Sequence, residues 1–275
     1  MITNRFDTIY FNGCSFTEGG GFEKGKHWLH RAYKEKYDFI YENEKAVCYP
    51  TLIKNKLGID VINEAKSGSG VDRVVRKVYE YIEKYGIGKS QKTLFILEIP
   101  DDISRLDVYS NELNEWLVAN VEYDYNTAKI TDVQTTLNWI YGPPLEEEYR
   151  FKTRKSVKEF SELFINPITY PKQTQYKLLG LMSFLKANNI ECYLSGNVQY
   201  FELCNRFIPN FNDNNVLTIF YEGNPYKNFH GFAHGNGLTI RDEVGEDISG
   251  DGHPGFQSHR IWADGIIDFI NKKYI

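Results

Sequence analysis

The apolar positions change period as the chain advances, and the changes mark out elements. Thr8 to Phe11 form a short β-type run that ends in Asn12 and Gly13. Residues 46–57 place Val47, Leu52, Ile53 and Leu57 at helical spacing, and Gly58 is a C-terminal stop. Residues 60–63 read as a short strand. Val71, Val74, Val75, Val78, Ile82 and Tyr85 then fall on one helical face, with Gly86 expected to end that helix. Residues 93–99 are almost continuously apolar, the mark of a strand buried on both faces. Strand, helix, strand, helix, strand is the order of a parallel sheet with right-handed crossovers.

Two stretches interrupt the alternation. Residues 22–44 are polar and aromatic, include His27, Trp28 and His30, and read as an irregular loop with one helical turn. From residue 106 to 155 the periodicity is mixed and Gly142-Pro143-Pro144 punctuates it. This segment reads as a large insertion, hairpin-like around residues 118–133, within a single domain spanning 1–275. Alternation then resumes. Helices are expected over 155–164 and 174–187, the second with Leu178, Leu181, Met182 and Leu185 in phase. Residues 191–195 are a fourth strand and 216–220 a fifth. A Gly-, Asn- and Asp-rich loop is expected over 222–252, and loops of that length in a compact domain usually carry function. The last helix, 256–272, has Trp262, Ile266, Phe269 and Ile270 on one stripe.

Composition narrows the class. A chain of 275 residues, 41% hydrophobic and 25% charged, has ample material for a core. A net charge of -5 gives no nucleic-acid footprint. Cys14, Cys48, Cys192 and Cys204 form no CxxC pair and no metal-ligand spacing, so neither a disulfide framework nor a metal site is expected. With no signal peptide and no apolar run near the ~20 residues a membrane span needs, a cytoplasmic setting without membrane partners is expected. Aromatic residues reach 15%, among them 20 tyrosines, and such rings line either half-exposed surfaces or a groove.

In open α/β sheets function sits beyond the carboxyl ends of the strands. Three loops meet that condition here: one with Ser15 after the first strand, one with Ser67, Gly68 and Gly70 after the second, and one with Asp101, Asp102 and Arg105 after the third. A fourth, with Asp251 and His253, precedes the last helix. A serine nucleophile needs a base, a group to orient the base, and donors for the oxyanion. Those four loops contain each of these. As a residue type alone Ser15 also fits a helix or turn cap, and His253, ahead of Pro254, also fits a turn. His259 reads as a structural or surface residue. The pair His230 and His234 has helical spacing, but Gly231, Gly235 and Gly237 argue against a helix there. The glycines at 19–21 and 68–70 match no complete phosphate-binding pattern.

The run Gly13-Cys14-Ser15-Phe16-Thr17 resembles the opening block of the GDSL-type, or SGNH, serine hydrolases, with Ser15 at the nucleophile. Residues 63–70 resemble the second block, with Gly68 at the oxyanion glycine, and Asp251-Gly252-His253-Pro254 resembles the last. The resemblance covers roughly residues 7–105 and 190–272. It implies a three-layer α/β/α, flavodoxin-like fold and a serine esterase with catalytic Ser15, Asp251 and His253. The oxyanion would rest on the amides of Ser15 and Gly68, and no cofactor is implied. The implied substrate is a small-molecule or glycan ester, with carbohydrate O-acetyl groups first in order. The Gly-Cys-Ser-Phe form also looks like that of SGNH-like proteins in bacteriophage and bacterial surface-glycan settings. Two features depart from the family pattern. Asp101 stands where the third block usually offers an asparagine donor, which leaves Arg105 and Asn197 as candidate substrate or oxyanion contacts. The last block is D-x-H rather than D-x-x-H. Two other readings remain open: a catalytically inactive module of the same fold that binds carbohydrate or serves a structural role, and a nucleotide-binding α/β protein.

Overall fold

A computed structural model describes residues 5–22, 27–37, 47–100, 105–110, 115–124, 129–135, 155–156, 158–159, 170–247 and 249–274. Four strands, β1 (Thr8–Asn12), β2 (Asp60–Asn63), β3 (Thr93–Ile99) and β7 (Cys192–Gly196), form a parallel sheet in the order β2-β1-β3-β7. This is the start of the doubly wound, flavodoxin-like order, whose switch point lies between β1 and β3.

Period-two alternation builds the three layers. Tyr10, Phe95, Leu97, Cys192 and Leu194 face one side. There they meet Val74, Val78 and Ile82 of α4 (Val71–Gln91) and Leu178, Leu181 and Leu185 of α5 (Tyr170–Ala187). Ile9, Phe11, Leu94, Ile96 and Tyr193 face the other. That side is covered by Ile53 of α3 (Tyr49–Leu57) and by Trp262, Ile266 and Ile270 of α10 (Phe256–Tyr274). Gly86 ends the first part of α4, as expected: at φ 76° and ψ 166° it leaves the helical region, and a second short helical segment runs on to Gln91. A residue without Cβ takes that conformation with no steric cost, and the chain resumes its turns.

Three expectations change. Residues 27–37 form a helix, α2 (His27–Tyr37), rather than one turn, and Tyr33 anchors it in a small cluster with Phe22, Val47 and Ile240. The expected fifth strand does not run through 216–220. Val216 makes one parallel bridge to Leu194, and β8 (Ile219–Tyr221) folds back on β9 (Asn224–Tyr226). The cause is the two-residue turn Glu222-Gly223, both at positive φ (49° and 82°), which reverses the strand as type I′ hairpin turns do. The stretch 222–252 is also not one long loop, since it contains β9, α8 (Phe229–Gly235) and α9 (Ile240–Val244).

Within the expected insertion, β4 (Arg105–Ser110), β5 (Glu115–Asp124) and β6 (Lys129–Thr135) make a separate antiparallel sheet. Arg76 of α4 ties it to the domain, donating from Nε to Asp107 at 2.8 Å with its guanidinium 4.2 Å from the centre of the Trp116 ring. Residues 155, 156, 158 and 159 are helical, and the rest of the helix expected over 155–164 lies outside the described residues. Two short helices, α6 (Glu202–Phe207) and α7 (Phe211–Asn215), follow β7. No helix among the described residues is long and apolar enough to cross a membrane.

Candidate active site

β1 ends in a buried turn that lifts Ser15 out of the sheet. Asn12 is fully buried and its side-chain oxygen accepts from Gly13 N at 2.8 Å. A Cβ on Gly13 would lie 2.4 Å from Thr17 Oγ1 and 3.0 Å from Glu98 Cβ, so the chain passes here as close to β3 as glycine allows. Ser15 then opens α1 (Ser15–Glu18), with buried Cys14 at the N-cap. As the first helical residue Ser15 has no acceptor for its N–H within the helix. Thr17 faces inward, its hydroxyl donating to the buried Glu98 carboxylate and lying 3.0 Å from Tyr49 Oη.

The second part of the site arrives from the far end of the chain. Thr239 bridges to Pro254 as an antiparallel pair, Ile240 N donates to His253 O (2.8 Å), and Arg241 N donates to Asp251 O (3.0 Å). Thr239 also caps α9 in a reciprocal box with Asp242, so the strap is fixed at its base. Held there, Asp251 Oδ1 accepts from His253 N at 2.9 Å and faces His253 Nδ1 at 2.6 Å. One oxygen thus closes the turn and reaches the ring, which is how a two-residue offset brings aspartate and histidine side by side. The neutral ring carries its proton on Nδ1, where the carboxylate accepts it, and presents the Nε2 lone pair. That nitrogen lies 3.1 Å from Ser15 Oγ, across 238 positions of sequence.

The ring is held from its other sides as well. Phe16 packs edge-on to His253 (5.5 Å between centroids) and stacks on His230 (4.7 Å, 6°). His234 Nε2 lies 2.9 Å from Gly252 O. Both histidines come from α8, which forms despite its glycines because Asn228 caps it by accepting from Gly231 N and because Phe229, Phe232 and Ala233 bury one face. Glycines 19–21 serve packing in this arrangement. A Cβ on Gly20 would sit 2.8 Å from Ser15 Cβ. Gly21, at φ 97°, would place one 2.3 Å from Ile240 and 3.3 Å from His253 Cβ.

Gly68 stands at φ 79° in the loop after β2, and three contacts lay that loop against α1 and the turn before it. Lys66 N donates to Gly13 O (3.3 Å), Asn63 Nδ2 to Thr17 O (3.2 Å), and Ser67 to Glu18. Arg105 braces the same loop, donating from Nη1 to Ser69 O at 3.3 Å. Asn197 follows β7, and its side-chain oxygen accepts from Gln199 N, capping its own turn. Asp101 and Asp102 lie outside the described residues. Among the described residues no group of three or more His, Cys, Asp or Glu side chains could hold a metal ion.

Two buried ionisable groups flank the Asp251–His253 turn, and periodicity alone did not single them out. His259, fully buried, accepts from Tyr49 N at Nδ1 (3.2 Å), and burial together with the neighbouring His253 pushes its pKa down to about 3. Glu243 accepts from Gln257 N (3.0 Å) at the start of α10. Burial raises its carboxyl from 4.5 to about 7, against the Tyr33 hydroxyl and backbone donors that favour the charged form. A folded pKa above the unfolded one means stability that is complete below about 4.5 and lost as pH rises through about 7. The shift corresponds to ~3 kcal/mol. Glu243→Gln keeps an acceptor for Gln257 N and removes the titration. Its melting temperature is therefore expected to gain on wild type between pH 5.5 and 8.5. His259 acts in the opposite sense, below about pH 6.5, and is common to both proteins. Parallel melting curves across that range would refute the assignment.

No protein-family model matches the chain, and no curated protein matches it. Among solved structures it is similar to the psychrotrophic esterase EstA from Pseudoalteromonas sp., at 14% identity, with 97% of each chain covered and a TM-score of 0.43. It is also similar to an acetyl xylan esterase from the rumen bacterium Butyrivibrio proteoclasticus, at 13% identity, covering 97% of this chain and 64% of that one, with a TM-score of 0.45. A third likeness is to a catalytic mutant of an acetylxylan esterase from Geobacillus stearothermophilus, at 12% identity, covering 96% and 94%, with a TM-score of 0.38. All three scores fall below 0.5, so what this chain does chemically has to be read from its own geometry.

Proposed function

We propose that the protein is a serine ester hydrolase that works through an acyl-enzyme, on small acyl esters and first of all O-acetyl groups of carbohydrate. The observation that carries the reading is the continuous chain from Ser15 Oγ to His253 Nε2 (3.1 Å) and from His253 Nδ1 to Asp251 Oδ1 (2.6 Å). In such a chain the hydroxyl attacks the ester carbonyl carbon while its proton passes to Nε2. Asp251 stabilises the imidazolium that results. The tetrahedral oxyanion is bound by the amides of Ser15, free of an intrahelical acceptor, and Gly68. Collapse breaks the bond to the alcohol, which takes the proton from His253. Water then repeats the sequence on the acyl-serine. Side-chain exposures of 32% for His253 and 19% for Asp251 leave the base reachable while most of its surface is packed. The carbohydrate preference is supported by the aromatic content and by analogy with the family that the three sequence blocks resemble.

A fluorophosphonate probe should label the wild-type protein at one residue, Ser15, as read by mass spectrometry of the digest, and p-nitrophenyl acetate should be turned over. Acetylated oligosaccharides should release acetate, read by an acetate assay. A protein that neither labels nor turns over the nitrophenyl ester is not an esterase, and the non-catalytic module would then stand in its place.

A further inference from the structure

The peptide that carries the Gly68 N–H is the central unit of a turn. Ser69 N donates to Lys66 O at 3.0 Å, which closes Lys66-Ser67-Gly68-Ser69 as a four-residue turn, and φ of 79° at Gly68 is what a type II turn requires at its third position. Types I and II differ by a flip of that central peptide, so an orientation that directs the Gly68 N–H one way has a near relative that directs it the other. The outer residues of the loop are tethered elsewhere, Glu64 O by Arg73 Nη1 (2.7 Å), Lys66 N by Gly13 O and Ser69 O by Arg105. None of those tethers touches Ser67, the residue on the amino side of the peptide.

Glu18 does. Its Oε2 accepts from Ser67 N at 2.5 Å and from Ser67 Oγ at 2.7 Å. Glu18 lies three residues after Ser15 on α1, a spacing that puts the two side chains on neighbouring positions of the helix surface. The same four-residue helix thus presents the nucleophile and, through one carboxylate oxygen, grips the residue before the oxyanion glycine. Bonds to an ionised carboxylate are roughly twice as strong as neutral ones.

We propose that Glu18 is a positioning residue for the oxyanion site, holding Ser67 so that the Ser67–Gly68 peptide keeps its N–H directed at the acyl oxygen on Ser15. The inference rests on the ester-hydrolase reading above, and it implies that nucleophile and oxyanion donor keep a fixed relation through a contact separate from the triad.

Steady-state hydrolysis of p-nitrophenyl acetate by wild type, Glu18→Ala, Glu18→Gln and Ser67→Ala tests it, alongside the rate of fluorophosphonate labelling. Loss of one oxyanion donor costs about 10²–10³ in kcat, and a peptide that still samples its working direction loses less. Glu18→Ala is expected to lower kcat and the labelling rate by ~10–100-fold, with KM within about threefold. Glu18→Gln, whose amide oxygen can accept both bonds, should recover kcat to within ~5-fold of wild type. Ser67→Ala, which loses the hydroxyl bond and keeps the N–H one, should fall between and serves if Glu18→Ala melts below assay temperature. Wild-type kcat in Glu18→Ala, a change confined to KM, or a Gln variant no better than Ala overturns the proposal while leaving the esterase reading intact. A wild type inactive on the ester removes both.

Discussion

Replacing Ser15 by alanine is expected to lower kcat/KM for p-nitrophenyl acetate by about 10⁴–10⁶ and to abolish fluorophosphonate labelling, because it removes the hydroxyl that lies 3.1 Å from His253 Nε2. His253→Ala should lose a similar amount, since Ser15 without a base retains its proton. Because the two act as one unit, the double variant should be scarcely slower than either single one. Asp251→Asn should cost ~10³–10⁴, as the amide removes the charge that stabilises the imidazolium and permits the wrong ring tautomer. Oxyanion donors and binding supply what activity remains. Ser15→Ala removes a single oxygen and Asp251→Asn keeps an acceptor for His253 N, so the melting temperatures of these two variants should stay near wild type. A Ser15→Ala protein within tenfold of wild type would end the esterase reading. So would double-variant losses that multiply.

The largest loss of stability is expected at Trp262, the most voluminous fully buried side chain among the described residues. Its indole stacks on Phe229 (5.2 Å, 30°) and packs at a tilt against Phe232 (5.5 Å, 37°), so it joins α10 to the helix that carries His230 and His234. Trp262→Ala leaves a cavity among Phe229, Phe232 and the sheet, at a cost of ~3–5 kcal/mol, or about 10 °C in melting temperature for a chain this size. Trp262→Phe should cost far less, ~1–2 kcal/mol. It keeps most of the contact and removes a buried indole N–H that has no hydrogen-bond partner among the described residues. Thermal melts of both variants check this, and equal losses for Phe and Ala would show that ring packing is not what holds the position.

Much of the fold was legible because its signals are local. The strands at 60–63 and 93–99 coincide with β2 and β3, since the apolar runs are bounded by residues that stop them. Val74, Val78 and Ile82 are buried as their spacing demands. Misreadings fell where a local preference was overruled. Gly231 and Gly235 weigh against a helix on their own, yet Asn228 caps α8, and Phe229 and Phe232 gain more by docking on Trp262 than the glycines lose. Glu222 takes a conformation that favours glycine or asparagine, so its hairpin left little trace in the composition.

The same division runs through the site. Local signals were enough for the four strands of the parallel sheet, the helices α3, α4, α5 and α10 that flank them, the turn that follows β1, and the residue types available to it: Ser15, Gly68, Asp251 and His253. Each depends on periodicity, glycine placement or spacing within a few residues. Only the packed fold brings Ser15 and His253 together, because their contact spans 238 positions and depends on the strap from Thr239 to Pro254. It also decided that Glu18 reaches Ser67 and that Glu243 is buried beneath α10. Contacts of that range are set by how sheet and helices pack, and no local pattern encodes them.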